Sequence, residues 1–114
     1  MKELYVILLS VFIGALGQVG LKYGAMRLPD DGSLWDKAIA AWPLAAGLAL
    51  YGVSTLLWIY ALRTVELSYA YPLISLGYVL VFIASYFIFH EPISVLRLGG
   101  MALILGGIVL VAKS

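Results

Sequence analysis

Four long apolar runs fill this chain, and none holds an acidic residue in its interior. They cover residues 4–21, 38–62, 67–89 and 98–112. A membrane-spanning helix needs about 20 mostly apolar residues. The fourth run reaches that length only by starting near Pro92 and letting Arg97 snorkel to the interface. Hydrophobic residues make up 64% of the 114. A small soluble domain leaves too much of its area in water to hide that share. The expectation is an all-α membrane protein with four transmembrane helices, at about 4–26, 38–62, 67–89 and 92–112. They form one domain over 1–114, with little chain left for anything outside the bilayer.

Composition removes several classes of function. There is no cysteine, hence no disulfide and no thiolate metal site. One histidine and no acidic cluster in the apolar runs argue against a metal, and no cofactor is implied. A net charge of +1 does not suggest nucleic acid as a partner. No nucleophile–base pair, phosphate loop or pair of carboxylates stands out, so the chain does not read as an enzyme. The first run continues through Gln18 and Lys22 without a small-x-small cleavage site, which reads as a first transmembrane helix and not a removable signal.

Turn and cap chemistry sets the boundaries. Pro29 and Asp31-Gly32 mark a loop after helix 1. Ser33-Leu34-Trp35-Asp36 has the form of a helix start, with Trp35 placed at the lipid head groups. Trp42-Pro43 falls in the first turns of helix 2. The short link 63–68 predicts that helices 2 and 3 are antiparallel neighbours. Pro72, early in helix 3, frees a carbonyl near Ser68, either as an ordinary first-turn proline or as a kink beside a cavity. His90-Glu91-Pro92 closes helix 3, and Pro92 suits the first position of helix 4. Lys2, Arg63 and Lys113 on one side of the membrane balance Arg27, Lys37 and Arg97 on the other. The excess of basic residues that sets orientation is therefore missing, and antiparallel pairing of two copies is open.

Residues three and four apart share a helix face. Ser10, Gly14, Gly17, Gln18, Leu21 and Lys22 form a small and polar stripe on helix 1. Gly47, Tyr51, Ser54, Thr55 and Trp58 do so on helix 2, and Tyr71, Ser75, Tyr78 and Ser85 on helix 3. Three such stripes suggest a shared polar chamber, although serine, threonine and tyrosine also bond between packed helices. Helix 4 has no strongly polar side chain from 98 to 112. Its Gly99-Gly100 and Gly106-Gly107 allow close backbone approach, so Gly100, Leu103 and Gly107 are expected to form a dimer seam. Gln18 lies about 4 to 5 Å from the midplane, given a rise of about 1.5 Å per residue, and its amide must find a partner or a wet cavity. Lys22 lies roughly 10 Å out, within snorkelling reach of a boundary about 15 Å from the midplane. Intramembrane polar groups are candidates for function.

The layout of four helices, the glycine-rich fourth helix and Ala70-Tyr71 resemble the small multidrug resistance proteins of the drug/metabolite transporter superfamily. The resemblance implies a bundle of that kind, working as a dimer. It departs at the chemistry. The mid-helix glutamate of those exporters falls on Gly14, counting back from the lysine that matches Lys22, and their helix 3 tryptophan falls on Ile74. A closer resemblance is to the four-helix flippase subunits for undecaprenyl-phosphate aminoarabinose. It runs through Gly17-Gln18, Lys22, the stretch 70–76, His90-Glu91-Pro92 and Gly106-Gly107-Ile108-Val109. EamA-like metabolite transporters share the Glu91 region and the helix 4 glycines.

What the closer resemblance implies is movement of a lipid-linked sugar phosphate across a bacterial-type inner membrane. The tail stays among membrane lipids, and the subunit works as a homodimer or a heterodimer with a similar four-helix chain. Lys22 would meet the phosphate as a compact cation, and Gln18 would add neutral hydrogen bonds. Tyr71, Ser75 and Tyr78 would bind sugar hydroxyls. The rival expectations are an exporter of a small soluble metabolite or cation with different coupling, and a non-transporting subunit of a larger membrane complex.

Overall fold

A computed structural model of the chain describes residues 2–28 and 32–114, so residues 29–31 of the expected loop lie outside the described residues. Among them there are six helices and no strand: α1 (Lys2–Arg27), α2 (Leu34–Ala40), α3 (Trp42–Leu62), α4 (Leu67–Leu73), α5 (Ser75–Phe87) and α6 (Val95–Lys113). Four spans are long and apolar enough to cross a membrane: α1, α3, α4 with α5, and α6. Helices meet the bilayer's demand that every backbone polar group find a partner within its own segment.

The expected second and third helices are each interrupted beside a proline. Pro43 cannot donate to the carbonyl of Ile39, and its ring would crowd that group. The helix stops at Ala40 and restarts at Trp42, with Ala41 between them at φ −89°, ψ 5°. The piece before the break, α2, is short, has no buried residue, and is capped by the Ser33 hydroxyl, which accepts from the Asp36 N–H at 3.2 Å. The sequence signal for a helix start at Ser33 thus marks a separate short helix ahead of the span. Trp35 on it is exposed. Likewise Pro72 has no N–H for the Ser68 carbonyl, and the helix breaks two residues later. Ile74 N–H bonds to the Tyr71 carbonyl at 3.0 Å, and Gly77 N–H to the Ile74 carbonyl at 2.9 Å. These are tightened three-residue turns, and Pro72 marks a kink and not a simple helix start.

The fourth span corrects a boundary. Pro92 does not open it: 91–94 are non-helical, and α6 starts at Val95. Ser94 is the cap, its hydroxyl accepting from the Arg97 N–H at 3.1 Å. A side-chain cap satisfies an otherwise orphaned donor, which a start at Pro92 would not provide.

The central element is α1. It packs along α3 and also against α5, while α6 rests on α4 and α5. The α1–α3 seam is built from glycines. A Cβ on Gly47 would lie 2.8 Å from the Gly17 carbonyl oxygen, and one on Gly24 would lie 2.8 Å from the Leu44 nitrogen. Lipid removes the hydrophobic drive between spans, so this close backbone approach supplies the attraction. A second cluster joins Ile7 and Val11 of α1 to Ala61, Ala70, Leu73 and Ile108. The predicted neighbours, α3 and the α4–α5 span, meet little along their length. They are joined near the 63–66 turn, where Trp58 and Tyr71 stack edge to face with centroids 6.5 Å apart. The short link fixes only their ends, and α1 takes the space between them. The result is a slab of 53 × 37 × 17 Å.

Candidate transport groove

With α1 between α3 and α5, its face toward them becomes the floor of a groove, and the flanking helices become its walls. The groove has a volume of ≈ 680 Å³, the size of a site for a drug-sized group. Its floor is Ser10, Val11, Gly14, Ala15 and Gln18. Tyr51, Ser54, Thr55 and Trp58 form one wall, and Tyr71, Ile74, Ser75, Gly77, Tyr78 and Val81 the other. The three polar stripes read from sequence therefore do converge, because each faces the same gap. No lining residue carries a formal charge.

The polar groups of the groove fall into two sets. The first is spent on the fold. Ser10 donates to the Ser54 carbonyl at 2.7 Å, Ser54 donates to the Ser10 carbonyl at 2.7 Å, and the two hydroxyl oxygens are 3.1 Å apart. Both serines are buried, so this reciprocal pair bolts α1 to α3. Thr55 returns its hydroxyl to the Tyr51 carbonyl at 2.9 Å. The second set is unspent. The side chains of Gln18, Tyr51, Tyr71, Ser75 and Tyr78 make no hydrogen bond to any described residue, and Gln18, Tyr51, Tyr71 and Tyr78 are exposed in the groove. Trp58 and Tyr71 close one end with their rings.

Four of the five residues expected to bind substrate thus line one groove. Lys22 does not. It lies one helical turn beyond Gln18 and outside the lining, with its Nζ 3.7 Å from Glu91 Oε2. The two side chains are 50% and 36% exposed. In the sequence Glu91 stands out only within His90-Glu91-Pro92, the segment that closes the third span and carries part of the family resemblance. Nothing in the spacing joins it to Lys22, because the chain returns to that side through two spans. Of the other stripe members, Gly17 and Gly47 serve the α1–α3 seam, and Ser85 bonds within its own helix to Val81 at 2.8 Å.

The residues expected at a dimer seam stand apart from the groove. On α6, Met101 and Ile108 face inward. Leu96, Leu103 and Leu110 face away, at 88%, 80% and 73% exposure. Gly99, Gly100, Gly106 and Gly107 flank that leucine stripe, and a Cβ built on any of them meets nothing within 4 Å.

Comparison with known proteins bears on this arrangement of spans around a groove. Residues 4–113 match the EamA-like transporter family. The chain belongs to that family. Among its relatives is a protein of Pseudomonas aeruginosa (strain UCBPP-PA14), named probable 4-amino-4-deoxy-L-arabinose-phosphoundecaprenol flippase subunit ArnE. It is 36% identical over 110 residues, which cover 95% of each chain. A Photorhabdus laumondii protein named probable flippase subunit ArnF for the same lipid is 35% identical, over 93% of each chain. A third, the uncharacterized protein y4nH of Sinorhizobium fredii, is 34% identical over 86% of this chain and 84% of its own. No solved structure matches. This EamA-like chain is thus a multi-pass membrane protein of a transporter family, and its named relatives are transport subunits and not enzymes.

Proposed function

We propose that the protein flips an undecaprenyl-phosphate-linked sugar, or a similar anionic lipid, across the bacterial inner membrane. The observation that carries this reading is the unspent set in the groove: Gln18, Tyr51, Tyr71, Ser75 and Tyr78 present an amide and hydroxyls with no internal partner, in a lining free of charge. Hydroxyl and amide groups between aromatic faces suit a sugar. A membrane carboxylate that would exchange protons for cations is absent from this lining, and Gly14 stands where a glutamate-driven exporter would hold its acid. The groove, at ≈ 680 Å³, has room for a head group, and the prenyl chain stays in lipid. The names of the relatives, which cover nearly the whole chain, support the same cargo.

The working unit in this reading is a dimer, either of two copies or with a similar four-helix subunit. The groove has walls on α3 and the α4–α5 span but none opposite its α1 floor, and the stripe of Gly100, Leu103 and Gly107 is left uncovered. The test is a reconstituted flipping assay with a polyprenyl-phosphate sugar. Gln18→Ala and Lys22→Ala are each expected to slow flipping about tenfold, the worth of one buried or charge-assisted hydrogen bond. Unchanged flipping in both variants would sink the site assignment. Activity appearing only on co-expression with a second four-helix chain would identify the heterodimer.

A further inference from the structure

We propose that Glu91 is a resident counter-anion, which occupies Lys22 in the empty protein and is exchanged for the phosphate of the arriving lipid. This deepens the flippase reading and rests on it. Four observations point the same way. The groove holds no cation of its own, so a phosphate must be met at its edge. Lys22 stands at that edge, one turn, or about 6 Å, beyond Gln18 on the same helix face. Its only ion pair among the described residues is to Glu91, at 3.7 Å. That is longer than the 2.7–2.9 Å of a charge-assisted hydrogen bond, and both side chains are partly exposed at the protein surface. An ion pair of this kind holds weakly and is replaceable.

Glu91 is nevertheless held in place by its loop. Its N–H bonds to the Ser85 carbonyl at 2.9 Å. His90 before it adopts φ +54°, a left-handed form that few non-glycine residues take. Pro92 after it is fixed to α6, its carbonyl accepting from Arg97 Nη1 at 3.2 Å. The backbone is thus anchored on both sides while the carboxylate pairs loosely. Such an anion does two things. It offsets the cost of a lysine near the hydrocarbon when no lipid is bound. It also sets a threshold: a neutral lipid or a free sugar brings no charge to displace it, so only an anionic lipid gains access to Lys22.

Binding of farnesyl phosphate to the purified full chain in nanodiscs, followed by tryptophan fluorescence, tests this, with farnesol and inorganic phosphate as the other ligands. Glu91→Gln is expected to bind farnesyl phosphate about two- to fivefold tighter than the unaltered protein, the worth of a partly exposed ion pair. Lys22→Ala should bind it about tenfold more weakly, and Glu91→Gln added to Lys22→Ala should change nothing further. Farnesol binding should be the same in all. If Glu91→Gln does not yield folded protein, Glu91→Asp carries the same test with a smaller gain. Affinity in Glu91→Gln or Glu91→Asp equal to or below that of the unaltered protein overturns the exchange and leaves the flippase reading standing. Tightening of inorganic phosphate to the same degree as farnesyl phosphate overturns it as a lipid site. Failure of the unaltered protein and every variant to bind farnesyl phosphate removes both readings.

Discussion

A Cβ at Gly14 would lie 2.9 Å from Ser54 Oγ, the hydroxyl that bonds back to Ser10. The position where an exporter's glutamate would stand is therefore closed by the bolt between α1 and α3. Gly14→Glu should not turn the protein into a proton-coupled cation exporter. It should instead destabilise it by about 1–3 kcal/mol, the usual cost of overpacking, read as a lower melting temperature with no gain in cation export by vesicles. The bolt itself can be measured. A double-mutant cycle of Ser10→Ala and Ser54→Ala should give a coupling of about 0.6–1.7 kcal/mol, the range for hydrogen bonds between membrane helices. Additive losses would mean that the reciprocal geometry contributes nothing. Both serines belonged to stripes legible in the sequence, but their pairing was not, because 44 residues separate them.

At the scale of elements, the glycines of this chain divide by what surrounds them. Gly47 meets backbone atoms of α1 at 2.8 and 2.9 Å, and backbone cannot swing aside. Gly52, on the same helix, meets nothing within 4 Å. Gly47→Ala should therefore cost about 1–3 kcal/mol in an unfolding titration, whereas Gly52→Ala should be neutral or slightly stabilising. Equal effects would contradict the α1–α3 seam. The prolines divide in another way. Pro43 separates a short capped helix from the span, and Pro72 stands two residues before the break between α4, which carries Tyr71, and α5, which carries Ser75. Apolar runs pass through a proline without a change in composition, so periodicity alone places neither break, and the kink reading of Pro72 rests on the proline itself.

The whole molecule is a thin slab with its polar groove on α1 and its bare leucine stripe on α6. These two surfaces make separate demands on a partner, and the second can be tested without the first. Replacing both Gly100 and Gly107 by leucine should leave the monomer fold intact, because no described atom lies within 4 Å of either added Cβ. It should weaken self-association about tenfold, as expected for about 1–2 kcal/mol of lost packing between spans. Energy transfer between labelled copies diluted in lipid would measure it. Unchanged transfer would place the seam elsewhere.

The amino-acid sequence by itself determined the solvent, the all-helical class and the number of spans. Those follow from local quantities: the length of apolar runs, the lack of charge within them, and the need of a backbone in lipid to bond to itself. It also marked the residues with something to donate. Only the tertiary structure decided which of them act together. Gln18 and Lys22 share a helix face and would pass for one site, yet Gln18 lines the groove and Lys22 is held by Glu91. The reason is that α1, placed between α3 and α5, turns different levels of that face toward different neighbours. Proximity across spans is set by packing, which no spacing along the chain records.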